Sequence, residues 1–351
     1  MAGSKSPGPM GATTRGIHVP QVPPGPLGEI HVGNPRLMDS YRDSPGPLGV
    51  YDWAEAVAHG SVHWGLPGRA SSAAAPITTA SKAAACACAR ELTIDELRKV
   101  FSKAKRKLSE QYLPLINHTF TVYGMTTCLR KAHFLAQIGD ESGELRYTAE
   151  GLKKGTKESD VYDGYKGRGL IQITWRRNYE AYGKAVHHDF LNTHKSDLEL
   201  PAWATDSAGW YWVKGGSENL NDLADKNDLL AITAEINGAF NGFEDRKAHL
   251  RSAFAALGVN DCKTADVGGQ AYRPFKESAV YNKRVQAFAW GCWNDPKAGK
   301  SGVAKSEAER KQGYLRFLEL NKEDGKHHPN KGRHFGFSAE KMLTLALDGS
   351  K

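Results

Sequence analysis

A helical pattern that ends in a carboxylate constrains the fold of this chain more than any other feature. Phe134, Leu135, Ile138 and Glu141 recur at the i, i+1, i+4, i+7 spacing of one helix face, so Glu141 stands where an apolar residue is expected. Gly143 is a helix terminator, which places Glu141 in the last turn, where the carbonyl ends of the helix repel negative charge. Apolar surroundings and the helix end both favour the protonated carboxyl, the form that a general acid needs.

A second carboxylate, Glu150, follows nine positions later in a Thr-Ala-Glu-Gly turn. One carboxyl in apolar surroundings and one in water form the minimal apparatus for cleaving a glycosidic bond. Glutamates at helix ends more often cap the helix, form ion pairs or face solvent, so the spacing alone leaves that alternative open.

The segment from Tyr165 to Tyr179, YKGRGLIQITWRRNY, strengthens the enzymatic interpretation. Its two glycines permit a close backbone approach. We expect Gln172 and Thr174 to share one face of an extended segment, where they would hold a water or a sugar.

Three motifs together resemble those of family 19 glycoside hydrolases: AQIGDESGEL, YKGRGLIQITWRRNY and EINGAFNGFEDR. That family comprises chitinases and related peptidoglycan-cleaving endolysins and wall-degrading toxins, and the resemblance covers residues 91–258. It implies a mainly α, lysozyme-like, two-lobed helical domain with a central cleft, and neither a metal nor a cofactor.

The resemblance assigns roles to individual residues. Glu141 would be the general acid, Glu150 the base that activates water, as in the endolysin-like branch, and Thr174 the residue that orients this water. The family inverts the anomeric centre, which requires carboxyl groups about 6.5 Å or more apart. The residues expected to bind substrate are Gln172, Asn178, Asn237, Tyr165 and Arg168.

The chain departs from the family pattern at three positions. Asp140 stands where the family usually has His, and Trp175 and Ala239 each replace a glycine. The short spacing from Glu141 to Glu150 resembles the endolysin branch, so we expect peptidoglycan as the substrate. A chitinase and a cell-wall-binding protein that has lost catalysis are the alternatives.

Net charge and hydropathy limit where in the cell the protein can act and what it can bind. The chain carries a net charge of +8, yet residues 91–260 hold 23 basic and 23 acidic residues, so the excess lies elsewhere, mostly after residue 260. No apolar run reaches the roughly 18 residues of a membrane span, and no nucleic-acid-binding motif accompanies the charge. The first residues lack the apolar core of a secretory signal. We therefore expect a phage lysin or an antibacterial effector, made in the cytoplasm and acting on the wall of a target cell, with an immunity protein and a secretion-machinery partner.

The chain divides into three parts. Residues 1–90 form a Pro/Gly/Ala-rich arm and linker with a possible docking segment, YDWAEAVAHGSVHWG. Residues 91–260 are the catalytic domain, which Thr93 and Glu96 open with a capping box and in which Pro114 is predicted to start a helix. Residues 261–351 are a basic extension, either extra helices or a module that binds the wall or a partner.

The cysteines and histidines predict no metal site. Five cysteines without framework spacing do not describe a disulfide-stapled domain. Cys86 and Cys88 are too close in sequence for a typical zinc pair and no second pair follows, so we interpret the thiols as structural or incidental. The histidine-containing segments lack a recognisable ligand set; they are His187-His188-Asp189 and the group His327, His328 and His334.

Overall fold

The computed structural model describes residues 86–265, 267, 269–323 and 333–351. The predicted arm up to residue 85, with its docking segment, lies outside the described residues, and so do His327 and His328. None of the helices in the described ranges combines the length and the apolar character that a bilayer span requires.

Helices dominate the described residues, so the prediction of a mainly α fold is confirmed. Extended pairing in these ranges is limited to isolated bridges. The helices are α1 (Ile94–Val100), α2 (Arg106–Val122), α3 (Cys128–Glu141), α4 (Arg176–Val186), α5 (Pro201–Trp210), α6 (Leu220–Asp225), α7 (Leu229–Asn237), α8 (Phe243–Leu257), α9 (Arg284–Asn294), α10 (Glu307–Glu323) and α11 (Ala339–Gly349).

Of the two sequence predictions about the first two helices, one is confirmed and one was wrong. The capping box is present: the Thr93 hydroxyl accepts from the Glu96 amide and the Glu96 carboxylate accepts from the Thr93 amide. The prediction that Pro114 starts a helix was wrong, because Pro114 lies inside α2. Packing of the buried face of α2, which includes Tyr112 and Leu115, outweighs the cost of an interior proline.

Helices α3 and α8 form the central pair of the domain and run antiparallel. Glu141, at the end of α3, bonds Arg246 near the start of α8. At the other end of the pair, the sulfur atoms of Cys128, at the start of α3, and Cys262, just after α8, lie within 4.8 Å of each other. Helix α3 is buried over eleven of its residues, from Cys128 to Gly139, so its end is held rigidly.

The aromatic cluster around α5 belongs to the core. Four large side chains of this cluster are buried: Trp203, Trp210, Tyr211 and Trp212. The Trp212 indole donates to Asn221 Oδ1 at 2.9 Å, which satisfies its one polar atom.

The C-terminal helices pack directly on the preceding domain. Trp290 of α9 contacts the rings of Phe240 and Phe243, with centroids 4.9 and 5.5 Å apart. The Trp293 indole donates to Asn241 Oδ1 at 3.2 Å. These contacts extend the hydrophobic core into the C-terminal helices, and the binding of the wall or a partner by residues 261–351 stays a prediction.

Helices α9 and α10 approach each other through two glycines. A Cβ added to Gly313 would overlap the backbone nitrogen and Cα of Gly291. Backbone atoms cannot rotate away as a side chain can. The short distance between the axes of α9 and α10 therefore requires a residue without a side chain at position 313.

We therefore predict that Gly313→Ala lowers the free energy of unfolding by about 1–3 kcal/mol, since α9 and α10 must separate to admit the methyl group. Gly151→Ala is the control, because a Cβ at Gly151 meets no atom within 4 Å. Urea denaturation measures both variants, and equal midpoints would contradict the close glycine packing.

Candidate active site

A surface groove of about 360 Å³ brings the two predicted carboxylates together. Glu141 and Glu150 both line it, as does Gln172; the other lining residues are Tyr147, Ala149 and Gly151. A water molecule occupies about 30 Å³ in the liquid, so the groove has room for a sugar and a water at once. Tyr147, which the sequence analysis did not single out, is 59% exposed and offers an aromatic face at this groove.

Glu150 is positioned by pairing between two loop segments. Its amide donates to the Gly167 carbonyl at 2.8 Å, and the Gly167 amide donates to Glu150 Oε2 at 3.1 Å. A Cβ at Gly167 would lie 2.9 Å from Gln172 Oε1, so a larger residue there would displace the Gln172 side chain. The Lys166 ammonium donates to the Glu150 carbonyl at 3.3 Å. The candidate base is thus fixed by backbone hydrogen bonds although it lies on no helix.

Gln172 lies in the groove but not on an extended segment as predicted. Residues 169–172 form a tight turn, closed by reciprocal backbone hydrogen bonds between Arg168 and Ile173 at 3.1 and 2.8 Å. Gln172 has a φ of +56°, and its Nε2 donates to the Gly169 carbonyl at 2.8 Å. Because the chain reverses here, Gln172 and Thr174 do not share one face of a strand, and that prediction was wrong.

Arg246 on α8 is the central group that sequence reasoning undervalued. Its side chain is 1% exposed; Nη2 lies 2.5 Å from Glu141 Oε1 and 2.7 Å from Asp140 Oδ2, and Nη1 donates to Gln137 Oε1 at 2.5 Å. The third sequence motif ends in Glu244-Asp245-Arg246, which lies in the first turn of α8, and this arginine at the start of a helix was the available signal.

This pairing corrects the expectation that Glu141 lies in apolar surroundings. A buried guanidinium holds one of its oxygens. Asp140 and Glu141 are adjacent at the end of α3, and both contact the same nitrogen of Arg246. Burial raises the pKa of the Asp140 carboxyl to about 6, with the Arg246 charge opposing this shift and the Glu141 charge adding to it.

Two residues expected to bind substrate are held in the protein interior. All three guanidinium nitrogens of Arg168 are engaged: Nε with Glu199 at 2.7 Å, Nη2 with Glu158 at 2.9 Å and Nη1 with the Tyr179 hydroxyl at 3.1 Å. Tyr165 is 6% exposed and packs its ring against Tyr179. These residues brace the lobe that carries Glu150, and neither lines the groove.

Three further predicted site residues are not among the residues that line the groove. Thr174 is half-buried, and its carbonyl accepts from Asn178 Nδ2 at 2.7 Å. Asn178 is fully buried, so it holds the start of α4 and has no access to substrate. Asn237 ends α7, and its Oδ1 is buried without a donor among the described residues. The water-orienting role of Thr174 and the sugar contact of Asn237 stay predictions.

Trp175 occupies a backbone conformation that suits glycine. Its φ is +71° and its ψ is 139°, a region that costs a residue with a side chain on the order of 1–3 kcal/mol. The Trp175 amide donates to the Tyr165 carbonyl at 3.0 Å, and its ring packs edge-on against Tyr162 with centroids 5.2 Å apart. The backbone at position 175 therefore has a conformation that suits the glycine expected from the family pattern. The Trp175 ring adds an aromatic side chain to the surface of this lobe.

Comparison with known proteins decides the family. A glycosyl hydrolase family 19 domain-containing protein of Haemophilus influenzae is 34% identical over 164 residues, an alignment that covers 35% of this chain and 78% of that protein. The chain belongs to glycoside hydrolase family 19. The family's lysozyme-like helical fold is thereby that of this chain, as the sequence resemblance implied.

Two further comparisons match this family 19 chain over part of its length. An endochitinase of Arabidopsis thaliana is 34% identical over 127 residues, covering 34% of this chain and 43% of the endochitinase. The chain thus spans less than half the length of that plant relative. The crystal structure of chitinase C from Streptomyces griseus aligns with a TM-score of 0.40 and 22% identity, covering 52% of this chain and 79% of that one. No family model matches the chain.

We predict that Arg246→Met lowers the free energy of unfolding by about 3–5 kcal/mol, because it leaves Asp140 and Glu141 without their cation in a largely buried site. Arg251→Met is the matched control, since it removes an exposed arginine from the same helix. Urea denaturation at neutral pH compares the two. A loss in Arg246→Met no greater than in the control would show that the guanidinium does not hold the site together.

The pKa of Asp140 gives stability a pH dependence of known sign. Between the ordinary value of 3.8 and about 6, the folded state keeps a proton that the unfolded state has released. The contribution of Asp140 to the free energy of unfolding therefore falls as pH rises through this window and stays lost above it.

An asparagine side chain does not ionise, so Asp140→Asn does not lose this stability as pH rises. Relative to the unsubstituted chain, the free energy of unfolding of the variant should increase by roughly 2–3 kcal/mol between pH 3.8 and about 6 and then stay constant. Denaturant titrations at several pH values measure it, with exposed Asp261→Asn as the control. Parallel stability curves for Asp140→Asn and the unsubstituted chain would contradict the assignment.

Proposed function

We propose that the chain hydrolyses β-1,4 glycosidic bonds in bacterial peptidoglycan by an inverting mechanism, with Glu141 as general acid and Glu150 as general base. The observation that carries the proposal is that both carboxylates line one groove although they come from a helix end and a loop. Inverting hydrolysis needs this arrangement, because the water enters on the sugar face opposite the leaving group.

The protein binds one carboxyl oxygen of Glu141 and leaves the other available for the reaction. Arg246 binds Oε1, and no described residue donates to Oε2. The proton for the leaving oxygen would sit on Oε2. Asp140 contacts the same nitrogen of Arg246 as Glu141 does, and burial raises the pKa of the Asp140 carboxyl to about 6.

The two carboxylate oxygens of Glu150 likewise differ: the protein binds one and leaves the other available. Oε2 is held by the Gly167 amide, and Oε1 has no donor among the described residues. In the reaction, Oε1 would take one proton from water as the water oxygen bonds to the anomeric carbon, while Glu141 gives its proton to the departing oxygen. Glu150 ends protonated and Glu141 ionised, and solvent restores both.

The charge around the groove favours an anionic glycan. From residue 146 to residue 177 the chain has eight Lys and Arg residues against four Asp and Glu residues, whereas residues 91–260 as a whole are neutral. Lys153, Lys154 and Lys157 are exposed in the loop just after Glu150. Peptidoglycan carries peptide carboxylates on every second sugar and chitin carries none, so this lobe attracts the former by charge.

Chitin is the second candidate. The relatives named endochitinases favour it, because two of them are 34% and 36% identical to this chain over 127 and 128 residues. The expected setting, a phage lysin or an antibacterial effector with an immunity protein, stays a prediction that neither substrate settles.

Product analysis on two substrates separates the candidates. The full chain is incubated with purified sacculi and with colloidal chitin, and soluble products are identified by mass spectrometry. We expect disaccharide-peptides from sacculi and a rate lowered about 10²–10⁴-fold in Glu141→Gln, which cannot donate the proton. Glu277→Gln, which changes an exposed carboxylate far along the chain, is the control and should retain the rate.

Each other outcome overturns a stated part of the proposal. Release of N-acetylglucosamine oligomers from chitin with sacculi left intact would make the protein a chitinase. Retained binding to sacculi without release of any fragment would favour the wall-binding alternative. Equal rates for Glu141→Gln and the control would remove Glu141 from the chemistry.

A further inference from the structure

Four cysteines converge at the end of the α3–α8 pair opposite to the groove. The sulfur atoms of Cys86, Cys88, Cys128 and Cys262 all lie within 4.8 Å of one another. Two come from the segment that precedes α1, one from the first turn of α3 and one from the loop after α8. The sequence interpretation looked for two CxxC-like pairs and so missed a set made of one close pair and two distant single cysteines.

We propose that these four thiolates bind one Zn²⁺ ion in a structural, tetrahedral site. Zinc–sulfur bonds of about 2.3 Å place the sulfurs of a tetrahedron about 3.8 Å apart. The sulfurs of Cys88 and Cys262 are 3.4 Å apart, close to this edge length and far beyond the roughly 2.05 Å of a disulfide bond. An iron–sulfur cluster inserts several irons and sulfides between its ligands and needs a wider cage.

The surroundings of the sulfurs suit thiolate ligands. The Cys128 amide, at the N-terminus of α3, donates to Cys88 Sγ at 3.1 Å. The Thr264 hydroxyl lies 3.2 Å from Cys262 Sγ and 3.5 Å from Cys88 Sγ. Four thiolates around Zn²⁺ carry a net charge of −2, and such hydrogen bonds from helix ends and hydroxyls stabilise that charge.

A buried lysine adds a cation beside the cluster. Lys131, one turn into α3, is 3% exposed, and its ammonium donates to the carbonyls of Ala87 and Arg90 at 2.7 and 2.5 Å. These carbonyls belong to the segment that carries Cys86 and Cys88. A buried ammonium that fixes the ligand segment is also placed to offset the negative charge of a tetrathiolate site.

The ligand segment is fastened to both helices of the pair. The Ala87 amide donates to the Leu257 carbonyl at the end of α8, at 3.0 Å, and the Ala89 amide donates to Thr126 just before α3, at 2.8 Å. Helix α3 has 14 residues, so the cluster is about 20 Å along the helix from Glu141. With four protein ligands and no open position, the ion would hold α3 against α8 and take no part in hydrolysis.

Metal content tests the proposal directly on the full chain. The protein is purified under reducing conditions in buffer containing zinc, desalted, and analysed by plasma mass spectrometry. We expect about one zinc per chain, and a fall of about tenfold or more in Cys88→Ser and in Cys262→Ser, each of which removes one ligand. Cys292→Ser is the matched control, because Cys292 is a buried free cysteine in α9 outside the cluster, and it should retain the zinc.

A second readout uses the unsubstituted chain in case a cysteine variant does not fold. Replacement of zinc by Co²⁺ should give thiolate-to-cobalt charge transfer in the near-ultraviolet and the intense visible bands of a tetrahedral tetrathiolate site. Removal of the metal by a chelator should lower Tm. Four titratable thiols without bound metal, or peptide mapping that finds a disulfide among these four cysteines in the freshly purified protein, would overturn the proposal.

Discussion

The buried guanidinium of Arg246 is the interaction on which the groove depends. Moving a charge out of water is costly, and proteins tolerate it only where the charge is paired and hydrogen-bonded. Here the cation binds Asp140 and Glu141 through one nitrogen and Gln137 through another. Helices α3 and α8 therefore meet around an ionic cluster, and the candidate acid is part of it.

This cluster is poorly suited to stability alone. Arg246 Nε and Gln137 Nε2 are buried without an acceptor among the described residues, and two carboxylates compete for one guanidinium nitrogen. A fully apolar contact would hold two helices together at lower cost. The cluster instead holds one oxygen of the Glu141 carboxyl and leaves the other oxygen without a donor in a residue that lines the groove.

The two sides of the groove are built in different ways. Glu141 lies at the end of a buried helix, whereas Glu150 lies in a segment without long helices that is held by single bridges and by the ion pairs of Arg168. Under the proposed roles, the acid lies on a rigid helix and the base lies on a loop lobe, which can adjust to a bound glycan. The strained backbone at Trp175 lies in the same lobe, where such strain is typical of functional sites.

Local sequence signals predicted much of this structure, and long-range pairing accounts for the rest. The capping box at Thr93 and the placement of Glu141 at a helix end each depend on neighbours within a few residues. The ion pair of Glu141 with Arg246 spans 105 positions, and the contact of Cys88 with Cys262 spans 174. No periodicity connects such residues, so only the packed fold reveals that they meet.

The proposed inversion at the anomeric carbon, by two carboxylates that line one groove, is the central claim of the account. The most direct measurement is proton NMR of the anomeric signals during the first minutes of hydrolysis of a soluble β-1,4 glycan fragment, before mutarotation. The account predicts that the new reducing end appears first as the α-anomer. Initial release of the β-anomer would mean a covalent intermediate and would contradict the roles given to Glu141 and Glu150.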